Sequence, residues 1–220
     1  MLNALKILSI ATYNYYHNSL INGGTMDFAE KVKGFLTDPS KTFDALKEET
    51  LNEAIKYYAI IAVVYSAIFA LLMAFAGTLF GSMMGFRNMG MLMGAGAGIG
   101  GAITFFVMFM FFAIIGAFIS GAILHIFVYI LGGKRGLEQT IKAVMYGSTP
   151  GLLFGWIPFL GIIAAIWSLV LEILGIRQLQ ELTTGKAVLV VLIPVIIAFV
   201  LAMVLAALIA AFVMGVGRGY

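Results

Sequence analysis

Residues 57–80 read YYAIIAVVYSAIFALLMAFAGTLF, a stretch without one Lys, Arg, Asp or Glu. A bilayer core of roughly 30 Å is crossed by about 20 helical residues at about 1.5 Å rise each, so this stretch is long enough to span it. Further apolar runs at 103–131, 158–176 and 187–214 are interrupted by only two ionisable residues, His125 and Glu172. In hydrocarbon every backbone amide and carbonyl must be satisfied within its own element. None of these runs shows the apolar/polar alternation of a barrel strand, so each is expected to be a helix. The fold class is therefore all-α, a polytopic integral membrane bundle. Composition agrees: the chain is 10% charged and 62% hydrophobic, with a mean hydropathy of +1.07, whereas an ordinary soluble domain is about a quarter charged.

With no cysteine in the sequence, disulfides, thiolate metal sites and Cys nucleophiles are excluded. A net charge of +3 does not argue for nucleic acid, and the basic residues read better as topology signals. The partner the composition names outright is the lipid bilayer.

Residues 1–25 carry one Lys, a short broken apolar stretch and no small-residue cleavage site, which speaks against a signal peptide. Met26 opens a more coherent segment, and the expectation is that it is the natural initiator, with 1–25 an upstream extension. Intact mass of the protein made from its own gene decides this; a mature form retaining Leu2 to Thr25 ends the idea. Residues 26–56 are expected to form a cytoplasmic amphipathic segment. Phe28, Val32, Phe35 and Leu36 lie on one helical face, and Asp38-Pro39 starts a second helix whose stripe continues through Phe43, Leu46, Leu51, Ala54 and Ile55 into the first span. The preferred reading lays this segment flat on the lipid surface; the alternative packs it on the ends of the spans.

The membrane domain is expected over 57–214, with 215–220 as an external tail. Between the runs at 103–131 and 158–176 lies a shorter one, 141–155, which contains Pro150. Trp156-Ile157-Pro158 reads as an interfacial turn, so the third and fourth crossings form a hairpin, and Pro194 is expected to kink the fifth. Five crossings with a cytoplasmic N-terminus put eleven of the thirteen basic residues inside and leave Arg87 and Arg218 outside, as the positive-inside rule predicts.

Gly96 to Gly101 matches G-x-G-x-x-G, but no strand precedes it and no acidic residue follows at ribose distance, so dinucleotide binding is not supported. Met83, Met84, Met89, Met91 and Met93 are soft-ligand types with no His or Cys beside them, and read more simply as lipid-contacting filler than as a Cu(I) site. No metal and no cofactor is expected. Small residues recur at four-residue spacing in Gly77, Gly81 and Gly85, in Ala113, Ala117 and Gly121, and in Gly147, Gly151 and Gly155. The pattern is read as intramolecular helix packing in preference to a dimer interface.

Ionisable residues inside apolar segments are functional candidates because burying them is costly. Here they are His125, Lys142 and Glu172. A hairpin centred near Ile157 brings Lys142 and Glu172 to one depth, so a contact between them is expected, with His125 as the competing partner. HExxH, GxSxG and paired intramembrane aspartates are all absent from the sequence, and no enzyme is expected.

The loops carry a resemblance. Leu124-His125 through Leu131-Gly132-Gly133-Lys134, then Gln139-Thr140, Val144 to Gly147 with Pro150, Pro158-Phe159-Leu160-Gly161, Trp167-Ser168-Leu169, Leu174-Gly175-Ile176-Arg177 and Thr184-Gly185-Lys186-Ala187 follow one another in an order and spacing similar to the prokaryotic branch of the YIP (Ypt/Rab-interacting protein) family. Phe35 to Pro39 and Thr42-Phe43 resemble that branch's N-terminal segment. The resemblance covers about 27–214. It implies a five-span bundle with a cytoplasmic N-terminus and an external C-terminus. Eukaryotic relatives sit in secretory membranes, associate with prenylated Rab-type GTPases and take part in vesicle formation or membrane shaping. The segment ahead of the spans carries no evident acidic docking motif, so the GTPase association is not carried over. The resulting expectation is a non-enzymatic, multi-pass cell-membrane protein with a membrane-organising or adaptor role. Its segment 27–55 and its loops at Gly132 to Thr140 and Arg177 to Lys186 would face cytoplasmic protein partners or lipid head groups. A carrier or channel for lipid or a small neutral solute is the alternative.

Overall fold

The helix starts are written in short polar signatures. Asp27 accepts a hydrogen bond from the Glu30 amide at 2.8 Å while Glu30 accepts one from the Asp27 amide at 2.9 Å, a capping box that opens α1, Phe28–Thr37. Asp38 caps α2, Pro39–Ala45, with Pro39 in the first turn as the sequence predicts. The computed structural model to which these elements belong describes residues 26–83 and 99–216, the side chains of 77–83, 213, 215 and 216 excepted.

The helix expected to run from Pro39 into the first span is broken. Residues 46–50 form a turn, and Thr50 and Glu53 make a second capping box (Thr50 amide to Glu53, 2.9 Å; Glu53 amide to Thr50 hydroxyl, 3.4 Å) from which α3, Leu51–Met83, starts afresh. Then come α4, Ile99–Ile130; α5, Leu137–Gly147; α6, Thr149–Phe154; α7, Leu160–Leu179; and α8, Thr184–Val216. Among the described residues every regular element is helical.

Among the described residues four stretches are long and apolar enough to cross a membrane: Leu51–Ala76, Ile99–Ile130, Leu160–Leu179 and Thr184–Phe212. Their large apolar side chains, among them Ile60, Phe111, Ile126, Ile163 and Phe199, are exposed and form the lipid-facing surface. α8 runs on through Pro194. The third segment, 141–155, is different in kind. It is split into α5 and α6 ahead of Pro150, which cannot donate to the Tyr146 carbonyl; the Thr149 hydroxyl donates there instead, at 2.6 Å. Every residue from Thr140 to Gly147 is buried, because α5 is the central helix, packed against α7, α4 and α3.

The N-terminal helices do not lie flat with their apolar face in lipid. Phe35 and Phe43 are fully buried against Tyr146, with ring centroids 5.1 and 6.4 Å from it and 4.9 Å from each other. α2 packs on α7, where Gly175 leaves room for the Phe43 ring. The alternative reading is the one found. An amphipathic face that meets a complementary aromatic wall gains directional ring contacts of about 0.5–1.5 kcal/mol per pair that lipid does not offer.

The glycine stripe of α5 and α6 is intramolecular packing. A Cβ on Gly147 would lie 2.6 Å from Glu172 Cγ, and one on Gly151 would lie 3.0 Å from Ser168 Oγ. Gly121 does the same for α4, where an added Cβ would stand 2.8 Å from the Ile141 side chain. The 77–85 stripe, the methionine cluster, residues 96–98 of the glycine motif, whose last three residues open α4, the start-site question, Arg87 and Arg218 lie outside the described residues or side chains.

Candidate functional site

Three loops meet at one end of the bundle: the 46–50 turn, the α4–α5 connection and the α7–α8 connection. The α4 and α7 helices end in the same way. The Gly133 amide bonds back to the Val128 carbonyl at 2.8 Å around Gly132, whose φ is +92°. The Leu182 amide bonds back to Arg177 at 3.0 Å around Glu181, whose φ is +54°. These are Schellman closures, and the second places a non-glycine in the left-handed region at a cost of about 1 kcal/mol.

Gln180 ties the loops together from beneath. Its amide donates to the Gly136 carbonyl at 2.7 Å and the Thr140 hydroxyl at 2.9 Å, and it accepts from the Arg135 amide at 3.1 Å. His125 Nδ1 lies 2.9 Å from the same Thr140 hydroxyl. With that oxygen accepting from Gln180, its hydrogen is free to donate to Nδ1, which leaves the proton of neutral His125 on Nε2. Above this floor are the charges. Lys47 meets Glu181 at 2.6 Å, and Arg135 approaches Glu48 at 3.5 Å and Glu181 at 3.9 Å. Lys134 and Lys186 stand exposed beside them.

Lys47 and Arg135 hold the Glu181 carboxyl below its ordinary pKa of 4.5. A depressed carboxylate contributes stability that is present above its unfolded pKa and is lost as pH falls through its folded one. Glu181→Gln is therefore expected to flatten the acid limb of the melting temperature profile below about pH 4.5. The ion pairs are exposed, so the change near pH 7 is small. An acid limb identical to wild type refutes the pairing.

Beside the loops lies a buried polar cluster. Lys31 and Glu49, with side chains 8% and 7% exposed, meet at 2.6 Å, and the Tyr146 hydroxyl donates to the other Glu49 oxygen at 2.6 Å. Lys142 does not meet Glu172. Its ammonium donates to the Lys47 carbonyl at 2.9 Å and the Glu49 carbonyl at 2.6 Å, backbone groups left open where the helix breaks at 46–50. The expected contact fails on register. Gly147 faces Glu172 and Gly151 faces Ser168, so the hairpin is centred between Phe159 and Leu160, and Glu172 lies more than a turn from the level of Lys142. His125 is not the partner of Lys142 either. Lys142→Ala is expected to cost about 2–4 kcal/mol by stranding two carbonyls, while Glu172→Ala costs less. Thermal melts in detergent showing equal losses would count against this assignment.

The positions quoted for the family resemblance are mostly structural. Asp38 and Pro39 start α2, and Gly132 and Gly133 close α4. Lys134 and Lys186 are exposed at the loop face. Pro150 is buried at the α5–α6 break, and Pro158 lies in the turn before α7. A Cβ on Gly161 would meet the Gly155 carbonyl oxygen at 2.7 Å. Gly175 admits Phe43, and the Trp167 indole donates to the Phe35 carbonyl at 3.4 Å. Sequence reasoning missed Glu49, Tyr146 and Gln180. Only the capping box at Thr50-x-x-Glu53 signalled that the polypeptide would turn at Glu49.

No curated protein and no solved structure matches the chain. Residues 33–215 match the family model described as the Yip1 domain, a range that takes in α2 to α8 and so the loop face, the central α5 and all four long apolar helices. This chain is a multi-pass membrane protein that belongs to the Yip1 domain family.

Proposed function

We propose that the protein is a non-enzymatic membrane-organising or adaptor component of the cell membrane, with its N-terminus and loop face in the cytoplasm and its C-terminus outside. The observation that carries this reading is the loop face: three loops from distant parts of the chain, cross-linked by Lys47, Glu48, Arg135 and Glu181, present Lys134 and Lys186 to a cytoplasmic protein or to lipid head groups. A charged surface suits recognition. The carrier reading is less well supported, since the centre of the bundle is filled by the buried residues of α5.

A chain without cysteine permits a direct test of sidedness. Single cysteines at Thr183 and Pro158 are treated with a membrane-impermeant maleimide on intact cells. Labelling of the Pro158 variant alone is expected; labelling of the Thr183 variant reverses the topology. For the role, the full chain is reconstituted in vesicles with Lys134→Glu and Lys186→Glu combined. Wild-type protein is expected to bind or reshape vesicles and the variant to lose most of that effect with an unchanged melting temperature. Reshaping that survives the reversal, or glycerol flux above that of empty vesicles, argues against the adaptor role.

A further inference from the structure

A cavity of about 170 Å³ opens where α1 lies over the start of α3, bounded by Lys31, Glu49, Glu53, Lys56, Tyr57 and Ile60. Its charge is balanced, two ammonium groups against two carboxylates. Lys31 and Glu49 are already paired, the Lys31 ammonium standing 2.6 Å from Glu49 Oε1 and 2.8 Å from Oε2. Glu53 accepts from Thr50 through Oε2 only, and Lys56, one turn on along the same helix face, is exposed. A site with equal numbers of both charges does not select an anion. It selects a zwitterion, and the Glu53 carboxylate with open lone pairs asks for an N–H donor, which a primary ammonium has and a quaternary one lacks.

The volume is below the roughly 300–1,000 Å³ of pockets that enclose a whole drug-sized ligand, so only a head group fits. The apolar remainder has a place to go. Ile60 on the rim is 50% exposed, and Val63, Val64 and Leu71 continue an exposed stripe at helical spacing down α3. We propose that this cavity binds the head group of a phosphatidylethanolamine-type lipid, the phosphate on Lys56, the ammonium on Glu53, and the acyl chains along Ile60, Val63 and Val64. The inference rests on the placement of α1 and the start of α3 at the bilayer surface and is independent of the adaptor role.

The full chain in detergent is offered dioleoyl phosphatidylethanolamine, phosphatidylcholine or phosphatidylglycerol at equal concentrations, and retained lipid is counted by native mass spectrometry. Phosphatidylethanolamine is expected to be retained roughly tenfold above the other two, the worth of about one charge-assisted hydrogen bond. Lys56→Glu and Glu53→Gln are expected to abolish the preference; Gln preserves the capping box and Lys56 is exposed, so both variants keep their melting temperature. Equal retention of ethanolamine and choline lipids overturns the proposal, as does a preference for phosphatidylglycerol or a preference untouched by both substitutions. Displacement by free phosphoethanolamine at lipid-like concentration overturns the lipid assignment in favour of a soluble ligand. Absence of lipid selectivity in the wild-type protein alongside intact vesicle reshaping fails this inference alone.

Discussion

Glu49→Ala is expected to destabilise the protein by about 3–5 kcal/mol, the usual consequence of removing one member of a buried, hydrogen-bonded ion pair. Lys31 is 6% exposed and would be left without its carboxylate, and the Tyr146 hydroxyl would lose the acceptor it reaches at 2.6 Å. The two losses are stranded charges and donors, so they are not additive with their partners. Lys31→Met combined with Glu49→Leu is expected to cost less than Glu49→Ala alone, because an apolar pair needs no compensation in the same space. Tyr146→Phe is expected to cost about 1–3 kcal/mol. The cycle is measured by thermal or denaturant melts of the purified full chain. Additive single and double effects would show that these groups do not act as a unit.

Gly147→Val should be strongly damaging to the bundle. The new Cβ would stand 2.6 Å from Glu172 Cγ, 3.0 Å from its amide nitrogen and 3.1 Å from its Cα, and backbone cannot step aside as a side-chain tip can. α7 would have to move away from α5, breaking the 2.9 Å bond from the Gly151 amide to Ser168 Oγ and the close approach of Gly175 to Ala143. A loss of about 3 kcal/mol or more is expected. Gly116→Ala is the matched comparison: it lies within α4 with nothing inside 4 Å of an added Cβ. It should gain about 0.5–1 kcal/mol from reduced backbone freedom. If both variants melt alike, α5 and α7 are not in the contact described.

Parts of the fold were legible in the sequence. Asp38-Pro39, the Gly132-Gly133 helix end and the Trp156 to Pro158 turn are local signals, each satisfied within a few residues, and each is where it was expected. The small-residue stripe of Gly147, Gly151 and Gly155 also announced its use, since only small residues let helix backbones approach. The partner of Lys142 was not legible. Its choice depends on the α5–α7 register, which the irregular turn before Leu160 displaces, and on open carbonyls in a turn nearly a hundred residues earlier. Gln180 is silent for the same reason: one side chain links Gly136, Thr140 and Arg135 across some forty residues.

What the residues alone determined was the solvent and the element. Hydrocarbon tolerates neither open backbone groups nor unpaired charge, and both demands are met or failed within a single run of about 20 residues. Which helix occupies the centre is another matter. Only the packed structure placed the broken α5 at the core, turned the amphipathic α1 and α2 from the lipid onto an aromatic wall, and gathered Lys31, Glu49 and Tyr146 into one buried cluster. Those outcomes are set by surfaces that become neighbours after folding, and an apolar face looks the same in sequence whether it meets lipid or protein.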